Sequence, residues 1–579
     1  MTRHPVPPAQ RRAALEVRFP QWTPRTLAGA LDHACTGFAD RPFVLTDRVG
    51  WTYAEVAERS RRLAAGLAGL GVRAGDHVAV LLANYAEFPL VTYALSRLGA
   101  TAVPVNVLNR TAELGYVLRR SHAVALVCMD SFRGTDHLAV LDALAPGWET
   151  AGGGDALPDL QHVVVHETGQ APARPGTTTL AGLLASEPPT GDGVGGQAQS
   201  DPGDPGDPHA PAVLLFTSGT TGEPKGVPLT HDMLLRAAYS SVFGRAFADG
   251  HRLTFSLPMY HVYGFVEGLL TVPFVGGSIV AQLAFDPAAT VAAIEQHRCH
   301  DALLIPTMTL GVLAELRARP HDLSSLTHLF SSGGVSPTGI WDAVDEVFGD
   351  VEVVTGYGQS ETTASTTCTR PEDPPDRRRT TNGRVRDAGT AGDPALERRL
   401  VVYATADPVT GERLEPGAVG ELLARGPGVI GRYHQDPAAD AATFTADGWL
   451  RTGDLGSVDA DGWLRLAGRV KDCYRCGGEQ VVPGDVEAVL TAHPAIAQAH
   501  VVPLPDERMG EVGVAWVVPV DGAEVDEAAL IAFCTEQLAR YAVPRHVLAI
   551  DPADIPLTPS GRPRKFLLAE RARSTLTPA

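Results

Sequence analysis

The apolar positions of this 579-residue chain fall into short runs that alternate with helical patterns over the first 450 residues. The run "HVAVLLAN" (77–84) predicts a buried strand, which a helix over 86–99 and a second strand over 100–106 follow. The same succession recurs at 302–319 and at 327–348. Because strands that alternate with helices form parallel sheets covered on both faces, we expect an α/β fold of layered, mainly parallel sheets.

Two changes in composition divide the chain. Residues 187–211 are almost entirely Gly, Pro, Asp, Ser and Gln, which cannot bury enough apolar surface to order themselves, so they predict a flexible loop. Near residue 470 the alternation gives way to a mixed strand–helix pattern with a helix at 527–541. We therefore expect a large N-terminal domain over 1–470 and a small, separate α+β domain over 471–579.

The longest uncharged run, residues 268–285, contains Pro273 and the pair Gly276 and Gly277. It predicts a buried strand–turn–strand better than a membrane span. The N-terminus has no apolar signal-peptide segment, and seven scattered cysteines do not form a disulfide framework. These features predict a soluble, cytoplasmic protein, and the formal charge of −19 argues against nucleic-acid binding.

The most informative pattern lies at residues 212–240. An apolar strand runs into "TSGTTGEPKG" (217–226), and Thr230 then caps a helix that we expect to be amphipathic. Glycines let backbone N–H groups approach phosphate oxygens, hydroxyls add donors, and Lys225 adds charge. A Walker loop does not fit, because Pro224 precedes the lysine and Gly226 follows it. The alternative is an exposed Gly/Thr turn, which the position directly after a buried strand disfavours.

This motif resembles the signature of the adenylate-forming enzymes, which include acyl-CoA synthetases, nonribosomal adenylation domains and luciferases. "PMYHVYG" and "GGEQVVP" look more like the CoA ligases than the peptide-synthetase domains. The other matching motifs follow in the family's order and cover nearly the whole chain: "WTYAEVAERSRRLAAGL" (51–67), "PMYHVYG" (258–264), "GYGQSETT" (356–363), "GELLARGPGVIGRYH" (420–434), "GWLRTGDLG" (448–456) and "GRVKDCYRCGGEQVVPGDVE" (468–487).

The resemblance implies a large N-terminal domain, a small mobile C-terminal domain and an active site between them. It also implies two half-reactions. In the first, a carboxylate attacks the α-phosphorus of Mg·ATP and gives an acyl-adenylate and pyrophosphate. In the second, the small domain rotates and the CoA thiol attacks the adenylate carbonyl, which releases AMP.

The resemblance also assigns nucleotide contacts. Tyr357 is expected to stack on adenine, Ser360 to reach the α-phosphate, and Asp454 and Arg469 to bond the ribose. Glu361 is a hard oxygen ligand suited to Mg²⁺. The expected nucleotide-binding residues are Thr217, Ser218, Gly219, Thr220, Thr221, Gly222, Lys225, Gly333, Gly334, Tyr357, Ser360, Asp454 and Arg469.

Other motifs concern the acid, the hinge and CoA. His261 is expected beside the acyl site, either near the carbonyl that forms the thioester or as an ordinary polar side chain on a loop. Lys471 falls at the family's hinge position, and Gly477 and Gly478 are expected to line the pantetheine tunnel. A hydrophobic carboxylate, whether fatty, aryl or polycyclic, suits the mostly apolar residues predicted to line the acyl pocket: His261, Val262, Phe265, Ile305, Gly333 and Thr355.

A C-x-x-C pair, Cys473 and Cys476, lies within the last of these motifs. No second pair and no histidines at ligand spacing accompany it, so the pair does not predict a zinc site. Relatives carry apolar or small residues in this segment. We interpret both cysteines as small packing residues.

The last motif departs from the family's Pro-x-Thr-x-x-Gly-Lys pattern. Pro556, Thr558 and Gly561 match, and Arg562 stands in place of the lysine. In relatives that lysine bridges the carboxylate and the α-phosphate during the first half-reaction only. A planar guanidinium fits poorly where a compact ammonium is needed, and Lys565 lies about 10 Å of extended chain further on. Losing such a contact costs roughly 10²–10³ in rate.

We therefore expect a CoA ligase that mainly converts acyl-adenylate and CoA to acyl-CoA and AMP, with adenylation impaired. A separate adenylating enzyme would then be its partner in a pathway. Three alternatives stay open: a complete ATP-dependent acyl-CoA synthetase in which Arg562 or Lys565 does the lysine's work, a non-catalytic acid- or nucleotide-binding protein, and an enzyme that loads a carrier protein.

Overall fold

Some helices of this protein begin at a side-chain N-cap that the sequence supplies. Thr52 and Glu55 form a capping box, and the Thr230 hydroxyl accepts from the Met233 N–H at 3.1 Å. The helices are α1 Pro8–Arg18, α2 Leu27–Phe38, α3 Tyr53–Gly69, α4 Glu87–Leu98, α5 Thr111–Ser121, α6 His137–Leu144, α7 Trp148–Ala151, α8 Leu180–Ala185, α9 His231–Arg245, α10 Pro287–His297, α11 Pro306–Ala318, α12 Ile340–Phe348, α13 Pro375–Thr380, α14 Pro437–Thr443, α15 Pro483–Thr491, α16 Glu527–Gln537 and α17 Lys565–Leu576.

The strands follow the apolar runs between these helices. They are β1 Pro42–Leu45, β2 Gly50–Thr52, β3 His77–Leu81, β4 Thr101–Pro104, β5 Ala123–Met129, β6 Ser131–Phe132, β7 Thr135–Asp136, β8 His162–His166, β9 Thr178–Thr179, β10 Pro211–Thr217, β11 Lys225–Thr230, β12 Arg252–Phe255, β13 Ser278–Ala281, β14 Asp301–Leu304, β15 His328–Ser331, β16 Glu352–Val354, β17 Gly358–Gln359, β18 Ala364–Ser365, β19 Thr367–Cys368, β20 Arg384–Val385, β21 Val402–Ala406, β22 Gly420–Arg425, β23 Leu450–Val458, β24 Leu464–Arg469, β25 Tyr474–Cys476, β26 Glu479–Val481, β27 Ile496–Asp506, β28 Gly510–Pro519 and β29 His546–Ala549.

This computed structural model describes part of the chain. Several residues predicted to be functional, namely residues 218–222, Gly334 and Arg562, lie outside the described residues, as do the matching Thr558 and Gly561 of the last motif. The described residues are 5–170, 174–185, 206–217, 223–333, 340–520, 522–557 and 563–576.

Two seven-stranded sheets form the large domain. The first has the order β16-β15-β14-β12-β13-β1-β2, and the second has the order β11-β10-β4-β3-β5-β8-β9. Neighbouring strands are parallel in both sheets, except for the edge strands β2 and β11, which run antiparallel. One hydrophobic cluster takes fully buried side chains from both sheets, such as Val78 of β3 and Phe255 of β12. The predicted α/β class with mainly parallel sheets is confirmed.

Two further sheets complete the chain. Strands β21-β22-β23-β24 form an antiparallel sheet, and β24 ends at Arg469. Beyond it, a mixed five-stranded sheet of β26-β25-β28-β27 with β29 beside β28 packs with α15, α16 and α17 around its own two hydrophobic clusters. This is the small α+β domain that the sequence predicts.

Two local predictions are wrong. Residues 268–285 do not form strand–turn–strand: a π-helical segment, Tyr263–Leu269, and a 3-10 turn, Val272–Val275, precede the single strand β13. Helix α9 is not amphipathic, because nearly all of its side chains are buried. The predicted loop 187–211 lies mostly outside the described residues, and Pro211 already begins β10.

Candidate active site

Several predicted site residues follow neighbouring parallel strands of the first sheet. His261 comes after β12, Ile305 directly after β14, Gly333 after β15 and Thr355 directly after β16. These four strands are adjacent and parallel, so their carboxyl ends share one edge of the sheet. Crevices at this edge are the usual ligand sites of open α/β sheets. The topology therefore brings together residues that the sequence separates by up to a hundred positions.

The motif "GYGQSETT" (356–363) forms a tight hairpin in which β17 pairs with β18. A side chain at Gly356 or Gly358 would collide with the backbone of the returning chain, at Thr367 and Ala364 respectively. Thr363 and Ala364 both adopt positive φ, at 57° and 69°. Non-glycine residues in this conformation are strained, and such strain tends to persist at functional sites. The hairpin places Ser360 and Glu361 on its tip, in a 3-10 turn.

The three side chains expected to surround the ribose and adenine contact one another. The Tyr357 hydroxyl donates to Asp454 at 2.7 Å, and Arg469 Nε lies 3.1 Å from the other carboxylate oxygen. Asp454 and Arg469 are directly opposite each other in β23 and β24. Burial, and then the Asp454 charge, raise the pKa of Tyr357 well above its ordinary value, so its hydroxyl stays a donor. Sequence reasoning predicted all three residues but not this bond between them.

Two contacts hold the strands that flank the predicted phosphate loop. Thr217 and Lys225 face each other across the β10–β11 hairpin. The Tyr116 hydroxyl donates to the Pro224 carbonyl at 3.0 Å, and the His434 N–H donates to the Gly226 carbonyl at 2.8 Å. These bonds fix the backbone on both sides of Lys225.

Lys225 and Glu361 meet at a residue that sequence reasoning missed, Tyr433. The Lys225 ammonium lies 4.8 Å from the centroid of the Tyr433 ring, and the Tyr433 hydroxyl donates to Glu361 Oε1 at 3.1 Å. Tyr433 belongs to the motif "GELLARGPGVIGRYH", which the sequence offered only as a family match. Its contact with Glu361 spans 72 positions, so only the fold reveals it.

Glu361 is chemically suited to the Mg²⁺ that the resemblance implies. Burial raises the pKa of its carboxyl, while the hydrogen bond from Tyr433 opposes that rise. Among the described residues, no cluster of three or more His, Cys, Asp or Glu side chains could hold a metal ion. A single carboxylate is nevertheless enough for Mg²⁺, which often keeps several waters and takes its other ligands from substrate phosphates.

The expected acyl side of the site is built on the loop after β12. Asn84 fixes this loop, because its side chain accepts from the Met259 N–H at 2.8 Å and donates to the Leu257 carbonyl at 3.0 Å. His261 Nδ1 accepts from the Tyr263 N–H at 3.3 Å. The predicted walls Val262, Phe265, Ile305 and Thr355 are all buried.

Gly333 lies close to two side chains of this region, Ile305 and Tyr263. It adopts φ 91°, and a Cβ there would lie 3.4 Å from Ile305 and 3.6 Å from Tyr263. Tyr263, which sequence reasoning did not single out, is thus a further neighbour of the predicted pocket. Phe265 packs edge-on against Phe88, with ring centroids 6.3 Å apart, so this predicted wall residue is also part of the core.

A buried charge network ties the acyl side to the hairpin. Glu267, in the π-helical segment, accepts from Arg386 at 3.0 Å and from the Ser365 N–H at 3.3 Å. Arg245 pairs with Asp301 beneath it, and both side chains are at most 1% exposed. Buried ionic groups of this kind are retained only when each has partners. None of these contacts could be expected from the sequence.

In the small domain, the predicted hinge and CoA residues are exposed. Lys471 lies in a 3-10 turn, Val470–Asp472, directly after β24. Gly477 and Gly478 form the two-residue turn between β25 and β26, with φ of 63° and 93°. Two consecutive positive φ values are typical of the hairpin turn that favours glycine pairs. The roles of these residues remain predictions.

The C-x-x-C pair is not joined: Cys473 and Cys476 are free thiols. Burial raises the pKa of Cys473 to about 11, and it also raises the pKa of Cys476. Neutral thiols are poor nucleophiles and poor metal ligands. Cys476 packs in the core of the small domain, which agrees with its interpretation as a packing residue.

Near the last motif, Lys565 forms an ion pair with Glu487. Its ammonium lies 2.6 Å from Glu487 Oε1 of α15, and the same oxygen accepts from the Val501 N–H at 2.7 Å. Leu557 and Pro563, which flank the undescribed residues 558–562, pair as an isolated bridge. The candidate stand-in for the missing lysine is therefore bonded within its own domain.

None of the helices in the described ranges has the length and apolar character that crossing a membrane requires.

Comparisons with known proteins agree with this architecture. Residues 31–434 match the family model described as AMP-binding enzyme, and residues 485–562 match the AMP-binding enzyme C-terminal domain. The mitochondrial medium-chain acyl-CoA ligase ACSF2 of Danio rerio is 32% identical over 537 residues, which are 92% of this chain and 85% of that protein. Feruloyl-CoA synthase of Amycolatopsis sp. is 32% identical over 511 residues, 88% of this chain and 92% of that protein.

A solved structure supports the same assignment. The anthranilate CoA ligase AuaEII in complex with anthranoyl-AMP matches with a TM-score of 0.79 at 25% identity, over 95% of this chain and 98% of that chain. The matches extend over both domains and over nearly the full length of these proteins. The chain therefore belongs to the adenylate-forming AMP-binding enzymes, in their acyl-CoA synthetase and ligase branch.

Proposed function

We propose that this acyl-CoA ligase forms the CoA thioester of a hydrophobic carboxylic acid and works mainly in the second half-reaction, from acyl-adenylate and CoA to acyl-CoA and AMP. The observation that carries this proposal is the 2.6 Å ion pair between Lys565 and Glu487. The family's lysine position holds Arg562, and the nearest lysine after it is already engaged. A partner enzyme would then supply the acyl-adenylate.

The chemistry of the second half-reaction needs the adenylate held and its carbonyl open to the thiol. Asp454, oriented by Tyr357 and Arg469, can accept from both ribose hydroxyls. His261 lies at the same sheet edge as Gly333 and Thr355, where we place the acyl carbonyl. Lys471 and the turn Gly477–Gly478 are proposed as hinge and pantetheine contacts, because they lie where the small domain begins.

Mg²⁺ and ATP enter only the first half-reaction. We propose Glu361 as the protein's ligand for Mg²⁺, which would neutralise phosphate charge, and Lys225 with residues 217–222 as the phosphate contacts. Position 562 would need an ammonium at this step, whereas a guanidinium is wider and bidentate. The expected result is slow adenylation in an otherwise complete nucleotide site.

The buried, mostly apolar residues Val262, Ile305 and Tyr263 around Gly333 support a hydrophobic acid. The names of the relatives point to medium-chain and aromatic acids for those proteins, and we propose the same broad class here. A panel of fatty, aryl and polycyclic acyl-adenylates, assayed with CoA for AMP release, identifies which of these acids the enzyme uses.

A complete ATP-dependent acyl-CoA synthetase is the second candidate. The preassembled contacts of Lys225 and Glu361 with Tyr433 favour it, because a protein without adenylation has no evident need for them.

Two assays on the purified protein distinguish these functions. Pyrophosphate release from acid and Mg·ATP measures adenylation, and AMP release from acyl-adenylate and CoA measures thioester formation. Our proposal predicts that Arg562→Lys raises pyrophosphate release about 10²–10³-fold and leaves AMP release unchanged. Brisk pyrophosphate release by the parent, with no gain in Arg562→Lys, would instead establish the complete synthetase. Inactivity in both assays would indicate a non-catalytic binding protein.

A further inference from the structure

Tyr433 contacts both groups that the proposed function assigns to the phosphates and to Mg²⁺. Its ring lies under the Lys225 ammonium, 4.8 Å from the centroid, and its hydroxyl donates to Glu361 at 3.1 Å. The side chain is buried, so neither contact is a passing surface encounter. One residue thus joins two loops that lie more than a hundred positions apart in the chain.

The backbone around Tyr433 holds the same two loops. The Ile430 N–H donates to the Glu361 carbonyl at 3.0 Å, and the His434 N–H donates to the Gly226 carbonyl at 2.8 Å. The Tyr433 N–H in turn donates to Asp440 at 2.7 Å, in α14. We call residues 430–434 the clamp segment, because its bonds reach the magnesium-side hairpin and the phosphate-loop stem at once.

Two opposite charges contact this one side chain. A direct ion pair between Lys225 and Glu361 would instead occupy the groups proposed for the phosphates and for Mg²⁺. In the described structure the Lys225 ammonium contacts the Tyr433 ring, and Glu361 contacts the Tyr433 hydroxyl. The aromatic face instead satisfies the cation, and the phenol hydroxyl satisfies the carboxylate.

We propose that Tyr433 is a positioning residue that holds Lys225 and Glu361 at a fixed separation, so that the site binds Mg·ATP in preference to metal-free ATP. The inference rests on the proposed roles of Lys225 and Glu361. It assigns different roles to the hydroxyl and to the ring of Tyr433. The hydroxyl serves the metal side through Glu361, and the ring serves the phosphate side through Lys225.

Isothermal titration calorimetry on the full chain tests this division. ATP is titrated with and without Mg²⁺, and the ratio of the two dissociation constants gives the magnesium preference. Tyr433→Phe keeps the ring and removes the bond to a charged acceptor, so the preference should fall about 10-fold while metal-free ATP binds within about 2-fold of the parent. Tyr433→Leu also removes the ring, so it should weaken metal-free ATP by roughly 3-fold in addition.

Tyr116→Phe is the matched control, since it removes a hydroxyl from the stem of the same loop without touching Glu361. It should change both dissociation constants by the same factor and leave the magnesium preference intact. A double-mutant cycle with Glu361→Gln supplies the second check, because Tyr433→Phe should have no further effect on the preference once the carboxylate is gone.

Thermal unfolding verifies that each variant is folded at the temperature of titration. Tyr433→His, a third substitution at this position, keeps a ring and an N–H donor and should retain more of the magnesium preference than Tyr433→Phe. The role is overturned if Tyr433→Phe keeps the parent's preference, if Tyr116→Phe lowers it equally, or if the effect persists in Glu361→Gln. A parent that binds no Mg·ATP overturns the proposed nucleotide site as well, whereas normal binding with an indifferent Tyr433→Phe overturns the role of Tyr433 alone.

Discussion

The two domains use charge in different ways. In the large domain, Arg11–Glu352, Arg245–Asp301 and Arg386–Glu267 are ion pairs whose side chains are at most 2% exposed. In the described part of the small domain, the least exposed pair is Lys565–Glu487, at 21% and 19%. Breaking a buried pair is far more costly than breaking an exposed one. Two of these buried pairs hold the amino ends of β14 and β16, the edge opposite the candidate site, whereas the small domain is built on apolar clusters.

This difference fits a division of the reaction. The groups proposed for Mg·ATP are joined through Tyr433, Tyr357 and the clamp segment. The groups proposed for CoA lie on an exposed turn of the small domain. Preorganisation favours the charged first step, while the second step requires a surface that can approach and leave.

The largest expected effect is on adenylation, when the proposed magnesium ligand Glu361 is replaced. Glu361→Gln keeps the shape and the acceptor for Tyr433 but removes the charge, so pyrophosphate release from acid and Mg·ATP by the Arg562→Lys protein should fall about 10²–10³-fold. AMP release from acyl-adenylate and CoA should stay within about 3-fold, because no metal enters that step. A comparable loss in both assays would mean that Glu361 supports the whole hairpin rather than Mg²⁺.

The next effect is on stability. Burial opposes ionisation of Glu352, but bonds and charges from His328 and Arg11 lower its pKa from 4.5 to about 2. A lowered pKa stabilises the fold above the unfolded value, and this stabilisation disappears as the pH falls from about 4.5 towards 2. Glu352→Gln should therefore lose about 3 kcal/mol of unfolding free energy at pH 7.

Urea unfolding at several pH values measures this loss, and the parent and Glu352→Gln should converge near pH 2. Glu346→Gln, which breaks an exposed pair with Arg317, is the control and should cost at most about 0.5 kcal/mol. A difference between parent and Glu352→Gln that is constant with pH would show that the carboxylate charge is not what matters.

The smallest expected effect comes from breaking the ion pair between Lys565 and Glu487, and it distinguishes the two candidate functions. Glu487→Gln frees Lys565 and should cost about 1 kcal/mol of stability, since the pair is partly exposed. On our proposal, pyrophosphate release stays unchanged, because Lys565 is about 10 Å of chain beyond the required position. A several-fold rise in pyrophosphate release would instead identify Lys565 as the substitute lysine.

Sequence patterns predicted the fold class and the motifs for a physical reason. Apolar periodicity reports local burial, and contiguous motifs keep neighbouring residues such as Ser360 and Glu361 together. Contacts between distant segments leave no such pattern, which is why Tyr433 and the Arg11–Glu352 pair, 341 positions apart, were missed. The run at 268–285 misled because a short apolar stretch is equally compatible with a buried strand and a buried helical turn.

The residue at position 484, at the start of α15, limits how closely the two domains can approach each other. A side chain at Gly484 would overlap the carbonyl oxygen of Ala467 in β24, so only a bare backbone allows the two domains to touch there. Any larger residue would act as a wedge between them. Substitution at position 484 is therefore expected to disfavour this arrangement of the two domains.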